Sequence, residues 1–115
     1  MRWLVARALR KEGYDVVELA DGERLRLEIT TRILQKGELD VELIVTDVRM
    51  PGRDGLELVE TLAAAALRVP IIVMTAFSDD DARRRTARIG ATLFDKPFAL
   101  DDLRDAALRL APPRR

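Results

Sequence analysis

A chain of 115 residues is one domain's worth of polypeptide, and 48% hydrophobic with 35% charged residues is the balance of a chain that folds. Twenty basic and twenty acidic side chains cancel to a formal charge of zero, which argues against direct binding of a polyanion such as nucleic acid. Cysteine and histidine are both absent, which removes disulfides, zinc–thiolate sites, imidazole catalysis and phosphohistidine chemistry within the chain.

No apolar run approaches the roughly 18–20 residues needed to span a bilayer. The start, MRWLVARALRKEG, faintly resembles a signal peptide. However, Arg7, Arg10 and Lys11 interrupt it at helical spacing and no cleavage site follows. A cytoplasmic protein with no membrane attachment is expected.

Taken in order, Trp3, Leu4, Val5 and Leu9 recur at helical spacing between Arg2 and Glu12, and Gly13 supplies a stop. Asp15–Ala20 is a short β-rich run closed by Asp21-Gly22. A second helix is expected from Glu23 to Lys36, with Leu25, Leu27, Ile29, Ile33 and Leu34 on its apolar side, ending at Gly37. Leu43–Val45 is a continuous apolar run, as in a parallel strand buried on both faces. Pro51, Gly52 and Asp54-Gly55 form a loop before a helix over Leu56–Leu67, which includes the alanine run Ala63–Ala66. Pro70–Met74 is another buried strand, its proline placed first, where a missing N–H does little harm. Asp79–Ile89 is helical and stops at Gly90, and Ala91–Phe94 is a short strand. Leu100–Leu110 is a last helix, with Leu103, Ala107, Leu108 and Leu110 inward, and Pro112-Pro113 ends it.

This alternation predicts an α/β domain with a parallel sheet covered by helices on both faces. A doubly wound domain ordinarily opens on a strand, whereas this sequence opens on a helix. In such sheets ligands bind at the carboxyl ends of the strands. Asp47 follows one predicted strand, Thr75 another and Lys96 the last. Singly, each has a structural explanation: a turn, a satisfied backbone group, a solvated lysine. Together they place a carboxylate, a hydroxyl and an ammonium on one rim. That set suits phosphoryl transfer: the carboxylate as nucleophile, the lysine offsetting charge on the phosphoryl oxygens, the hydroxyl donating a hydrogen bond.

TDVRMPGRDGLEL, VPIIVMTAF and GATLFDKPF closely resemble the three active-site segments of bacterial response-regulator receiver domains, and the likeness runs through nearly the whole chain. The resemblance implies a flavodoxin-like, doubly wound α/β fold over residues 1–111, with 112–115 as a tail. It implies a phosphoacceptor in two-component signalling, with Asp47 taking phosphate from a sensor histidine kinase and no enzyme activity beyond assisting that exchange. Thr75 and the Ala76 N–H would contact the phosphate, and Lys96 would bridge it. Mg²⁺ would be held by Asp47, by the Arg49 carbonyl and by an acidic pair ending the family's first strand. Lys96-Pro97 would be cis.

The likeness starts at the first helix, so that first strand and its acidic pair are expected to be missing, through a mis-assigned or truncated start. A receiver without its central strand should be of low stability or self-associate, as a homodimer. With no output domain following, a lone receiver is expected. The residue at the family's switch-aromatic position is Leu93, with Phe94 the alternative. The Asp21–Asp47 segment is about seven residues longer than usual, or about two turns, which lengthens the second helix. Asp21 reads as that helix's N-cap rather than a replacement metal ligand. Asp79–Asp81 and Arg83, Arg84, Arg85 and Arg88 read equally as a downstream-partner surface, shared with the last strand and helix, or as charges complementing a helix dipole. Asp101 and Asp102 are first-turn acids of the last helix. The competing reading is a pseudo-receiver, an interaction module that is not phosphorylated. An unrelated flavodoxin-like enzyme is disfavoured by the lack of a Gly-rich phosphate loop.

Overall fold

The computed structural model describes residues 2–50, 53–64, 69–76 and 80–113. In chain order the elements are α1 (Arg2–Lys11), α2 (Gly22–Lys36), β1 (Ile44–Asp47), β2 (Arg49–Met50), β3 (Arg53–Asp54), α3 (Gly55–Ala64), β4 (Ile71–Thr75), α4 (Asp80–Arg88), β5 (Thr92–Asp95) and α5 (Leu100–Leu110). β1, β4 and β5 make a parallel sheet in the order β1–β4–β5. β2 and β3 form a two-residue antiparallel pair, β3 falling in the segment read from sequence as loop, and Pro51-Gly52 lie outside the described residues. This is a flavodoxin-like, doubly wound α/β fold.

Successive strand residues point to opposite faces, and here every step of the alternation lands in a core. Ile71 and Val73 of β4 join Ile44, Ile29 of α2, Ala82 of α4 and Leu56, Val59 and Leu62 of α3, with Leu93 packed against them. Ile72 and Met74 join Val5 and Leu9 of α1 and Leu103, Ala106 and Ala107 of α5, with Val45 and Phe94 alongside. Helices α1 and α5 therefore cover one face, and α2, α3 and α4 the other. Leu56, Val59, Ile72, Val73 and Leu103 are fully buried, each contributing about 1.5–3 kcal/mol.

The helix boundaries follow local chemistry. The Asp21 carboxylate accepts from the Arg24 N–H at 2.8 Å and caps α2, as expected. Gly37 takes the left-handed conformation (φ 77°) that ends it, donating to the Ile33 carbonyl. On α2 the row against the core is Leu25, Ile29 and Ile33, spaced by four, with Ile29 buried and the other two half-buried, whereas Leu27 and Leu34 face solvent at 50% and 80% exposure. They sit seven residues apart on a separate stripe, so the apolar side read from sequence was too wide. Likewise α1 buries Val5, Ala6 and Leu9 and leaves Trp3 and Leu4 out, Trp3 lying under the Arg7 guanidinium. In α5 the buried residues are Leu103, Ala106 and Ala107; Leu110, expected inward, is half-buried and packs against that core, and Leu108 is half-buried.

The larger correction concerns Asp15–Ala20, read as a strand. These residues belong to no strand. β propensity alone does not make one; a ladder partner is needed, and the sheet does not continue past β1 among the described residues. The segment is held instead from its flanks: the Tyr14 hydroxyl donates to the Ala111 carbonyl at 2.6 Å, and Arg10 donates to the Val16 carbonyl and the Glu18 carboxylate. The predicted end of the third helix, Ala65–Leu67, and the predicted first residue of the fourth, Asp79, lie outside the described residues.

Candidate functional site

β1 ends on Asp47, β4 on Thr75, and Lys96 directly follows β5. Parallel pairing sets them side by side: Asp47 is level with Met74, and Thr75 with Asp95. Neighbouring strands lie about 4.8 Å apart, so the three residues fall within about two strand spacings on one rim. The Val48 N–H donates to the Met74 carbonyl at 2.8 Å and the Lys96 N–H to the Thr75 carbonyl at 2.7 Å, extending both ladders past the functional residues.

Two of the three side chains meet. Lys96 Nζ lies 2.5 Å from Asp47 Oδ1, and both side chains keep 27% exposure. A carboxylate that is accessible yet paired with an ammonium suits attack on an electrophile whose oxygens gain negative charge. Thr75 is buried at the rim, and Ala76, exposed, begins the turn after it. The Lys96-Pro97 peptide is cis.

Two residues not singled out from sequence shape the site. Thr46 is buried, and its hydroxyl donates to the Asp47 carbonyl at 3.2 Å. Gly55, read as part of a loop, is the first residue of α3, and its N–H donates to the Val48 carbonyl at 2.9 Å. A Cβ at Gly55 would sit 1.9 Å from the Asp47 carbonyl oxygen and 2.7 Å from Thr46 Oγ1. Glycine is thus what lets α3 start against the end of β1. The signal was the Asp-Gly pair, which by itself reads as a turn.

The surroundings divide the remaining expectations. Leu93 packs in the cluster containing α4, while Phe94 points to the α1–α5 face against Phe98, with ring centroids 5.4 Å apart. Leu93, not Phe94, is the β5 side chain on the α4 side. Asp21 is spent on its cap. Among the described residues no three Asp, Glu, His or Cys side chains converge as a metal cluster. Asp47 and the Arg49 carbonyl offer one carboxylate and one carbonyl, so phosphate and water would have to complete a magnesium ion's shell. The acids and bases of α4 pair within it, Asp80 with Arg83 and Asp81 with Arg84 and Arg85, and Arg85 also clasps Glu60 of α3 through Nε and Nη2. Those hydrogen bonds hold the Glu60 carboxyl below its ordinary range. Among the described residues no helix is long and apolar enough to cross a membrane.

Residues 1–108 match the family model described as the response regulator receiver domain. The chain is 31% identical over 113 residues to sporulation initiation phosphotransferase F of Bacillus subtilis, covering 97% of this chain and 86% of that protein. It is 36% identical over 106 residues to the transcriptional regulatory protein PdtaR of Mycobacterium tuberculosis, covering 90% of this chain but only 47% of that protein. Among solved structures, chemotaxis protein CheY4 of Vibrio cholerae superposes with a TM-score of 0.76 at 25% identity, covering 95% of this chain and 88% of that one. The BeF3-activated receiver domain of nitrogen regulatory protein C gives 0.72 at 29% identity, covering 95% and 83%.

Proposed function

Because this chain belongs to the response regulator receiver domain family, a signalling domain of two-component systems, we propose that Asp47 is its phosphoacceptor and a sensor histidine kinase the donor. The observation that carries the reading is the contact between Asp47 and Lys96 on the carboxyl edge of the sheet, beside Thr75. In the proposed step an Asp47 carboxylate oxygen attacks the phosphorus of a phosphohistidine. The P–O bond to Asp47 forms as the P–N bond breaks, and the imidazole leaves with the electron pair and takes a proton from solvent. The Lys96 ammonium then neutralises a phosphoryl oxygen, and the Thr75 hydroxyl and Ala76 N–H donate to the others. The chain assists this exchange and the later hydrolysis of the aspartyl phosphate, in which water releases inorganic phosphate and restores the Asp47 carboxylate, without acting as an enzyme on a separate substrate.

Mg²⁺ in this family supplies further charge neutralisation. Asp47 and the Arg49 carbonyl would be this chain's contribution to it, and no step here depends on it. Phosphorylation would change the face made by α4, β5 and α5, to which a downstream protein binds in the cytoplasm. The thin donor set for metal favours one alternative, a pseudo-receiver that binds partners without being phosphorylated.

The test is incubation of the chain with acetyl phosphate and Mg²⁺, followed by intact mass and site mapping. One phosphoryl group on Asp47, abolished by Asp47→Asn and slowed by Lys96→Ala, is expected. Stable phosphate on another residue would overturn the assignment. No uptake at all would leave the interaction module.

A further inference from the structure

α2 carries the most exposed large apolar side chain among the described residues, Leu34 at 80%, and another, Leu27 at 50%, seven residues before it. Seven residues are about 10 Å along a helix and nearly two whole turns, so the two leucines share one line, away from the row that packs on the core. Thr30 and Thr31 lie between them, both exposed, and the Thr30 hydroxyl is spent on the Arg26 carbonyl at 2.8 Å. The charges to either side are matched locally: Glu23 with Arg26, Glu28 with Arg32, and Lys36 with Asp40. An uncharged stripe thus runs along a helix otherwise rich in charge, which is the kind of surface that association covers.

Two less settled charges stand at the ends of the stripe. The Arg24 side chain is 70% exposed and reaches Asp21 only at 3.5 Å, and Glu38, just past the helix end, is exposed with no ion pair among the described residues. These residues are self-complementary. The midpoint of Leu27 and Leu34 falls between Thr30 and Thr31, and Arg24 and Glu38 are within one residue of equidistant from it. Turning a second α2 by a half rotation about that point sets Leu27 against the partner's Leu34 and Arg24 beside the partner's Glu38, each pair occurring twice. The two helix dipoles then run opposite ways. A parallel pairing would instead oppose Arg24 to Arg24 and Glu38 to Glu38. No other sequence is needed to complete the surface, so a second copy is its occupant.

We propose that α2 is a self-association face, on which two copies of this chain pair antiparallel about the point between Thr30 and Thr31. One helix of 15 residues, about 22 Å long, falls short of the roughly 1,200 Å² that stable complexes bury, so the pair is weak and reversible. The face uses no residue of the phosphoacceptor site.

The chain has no cysteine, so one introduced thiol reports on its own neighbours. Thr31→Cys, beside the two-fold point, should oxidise to a disulfide-linked dimer about tenfold faster than Thr61→Cys, an exposed position on α3. In sedimentation at concentrations up to about 1 mM, where contacts this small form, the cysteine-free chain should dimerise. Leu34→Glu should stay monomeric with an unchanged melting temperature, since so exposed a side chain holds no core together. Arg24→Glu and Glu38→Arg should each weaken the dimer about threefold, and together restore it. Equal oxidation at the two positions, or a chain monomeric throughout, would overturn the proposal and leave the stripe to a different protein. A dimer that survives Leu34→Glu would place the contact elsewhere on the molecule, and charge variants that fail to restore each other would overturn the antiparallel pairing.

Discussion

Gly55→Ala is the smallest substitution that should damage the site without touching a polar group. The added methyl would lie 1.9 Å from the Asp47 carbonyl oxygen, where 3.0 Å is the practical floor, and 3.1 Å from the Asp47 carbonyl carbon. About 1 Å of relative movement between α3 and the end of β1 is thus required, and the nearest obstacle is backbone, which cannot rotate away. Overpacking of this kind costs about 1–3 kcal/mol, and the better helix propensity of alanine returns at most about 1 kcal/mol. For a domain of this size a net loss of about 1–2 kcal/mol lowers the melting temperature by roughly 4–10 °C. The same shift moves the Asp47 backbone, and a 1 Å misplacement of a reacting group can cost about 100-fold in rate. Thermal denaturation and the initial rate of labelling by acetyl phosphate measure the two effects separately. A variant with unchanged melting and unchanged labelling would refute the claim that this close approach positions the site.

Thr86 is 2% exposed and its hydroxyl has no hydrogen-bond partner among the described residues, so Thr86→Val should raise stability by about 1 kcal/mol in urea denaturation; a loss of that size would show that the hydroxyl is satisfied. Glu60, whose carboxyl is depressed by its bond to Arg85, contributes stability present above the ordinary glutamate range and lost as pH falls through the lower folded value. Wild type should therefore lose more melting temperature than Glu60→Gln between about pH 5 and 3, and parallel acid profiles would contradict the linkage. In a calorimetric titration the unphosphorylated chain should bind Mg²⁺ weakly, in the millimolar range or above, because among the described residues no cluster of three acidic side chains forms; micromolar affinity would point to donors not identified in this site.

Strand and helix identities were legible where one local rule sufficed. Pro70–Met74 and Leu43–Val45 announced buried parallel strands by unbroken apolar runs, and both strands end on the residues expected to react, Asp47 and Thr75. Gly37 marked its helix end because a left-handed residue stands there. Asp15–Ala20 misled because a strand is defined by its neighbour, and no property of the segment reports whether that neighbour is there. Leu27 and Leu34 misled for a related reason: apolar content was read without fixing the angle at which the helix meets the sheet. The role of Gly55 required knowing that a helix start and a strand end meet in space, which no spacing along the chain encodes.

The filling of both faces of β4 has a consequence for how this sequence finds one structure. A sheet with one wet face is kept from sliding because a one-residue shift would expose its apolar side chains. β4 lacks that safeguard: Ile71, Ile72, Val73 and Met74 are all buried, and sliding by one would merely exchange apolar side chains between layers. The polar residues at its end restore the penalty. Sliding by one would break the register that sets Thr75 beside Asp95 and, were β1 to move with it, would part Asp47 from Lys96. The groups suited to phosphoryl chemistry thereby also act as the stops that align the strands.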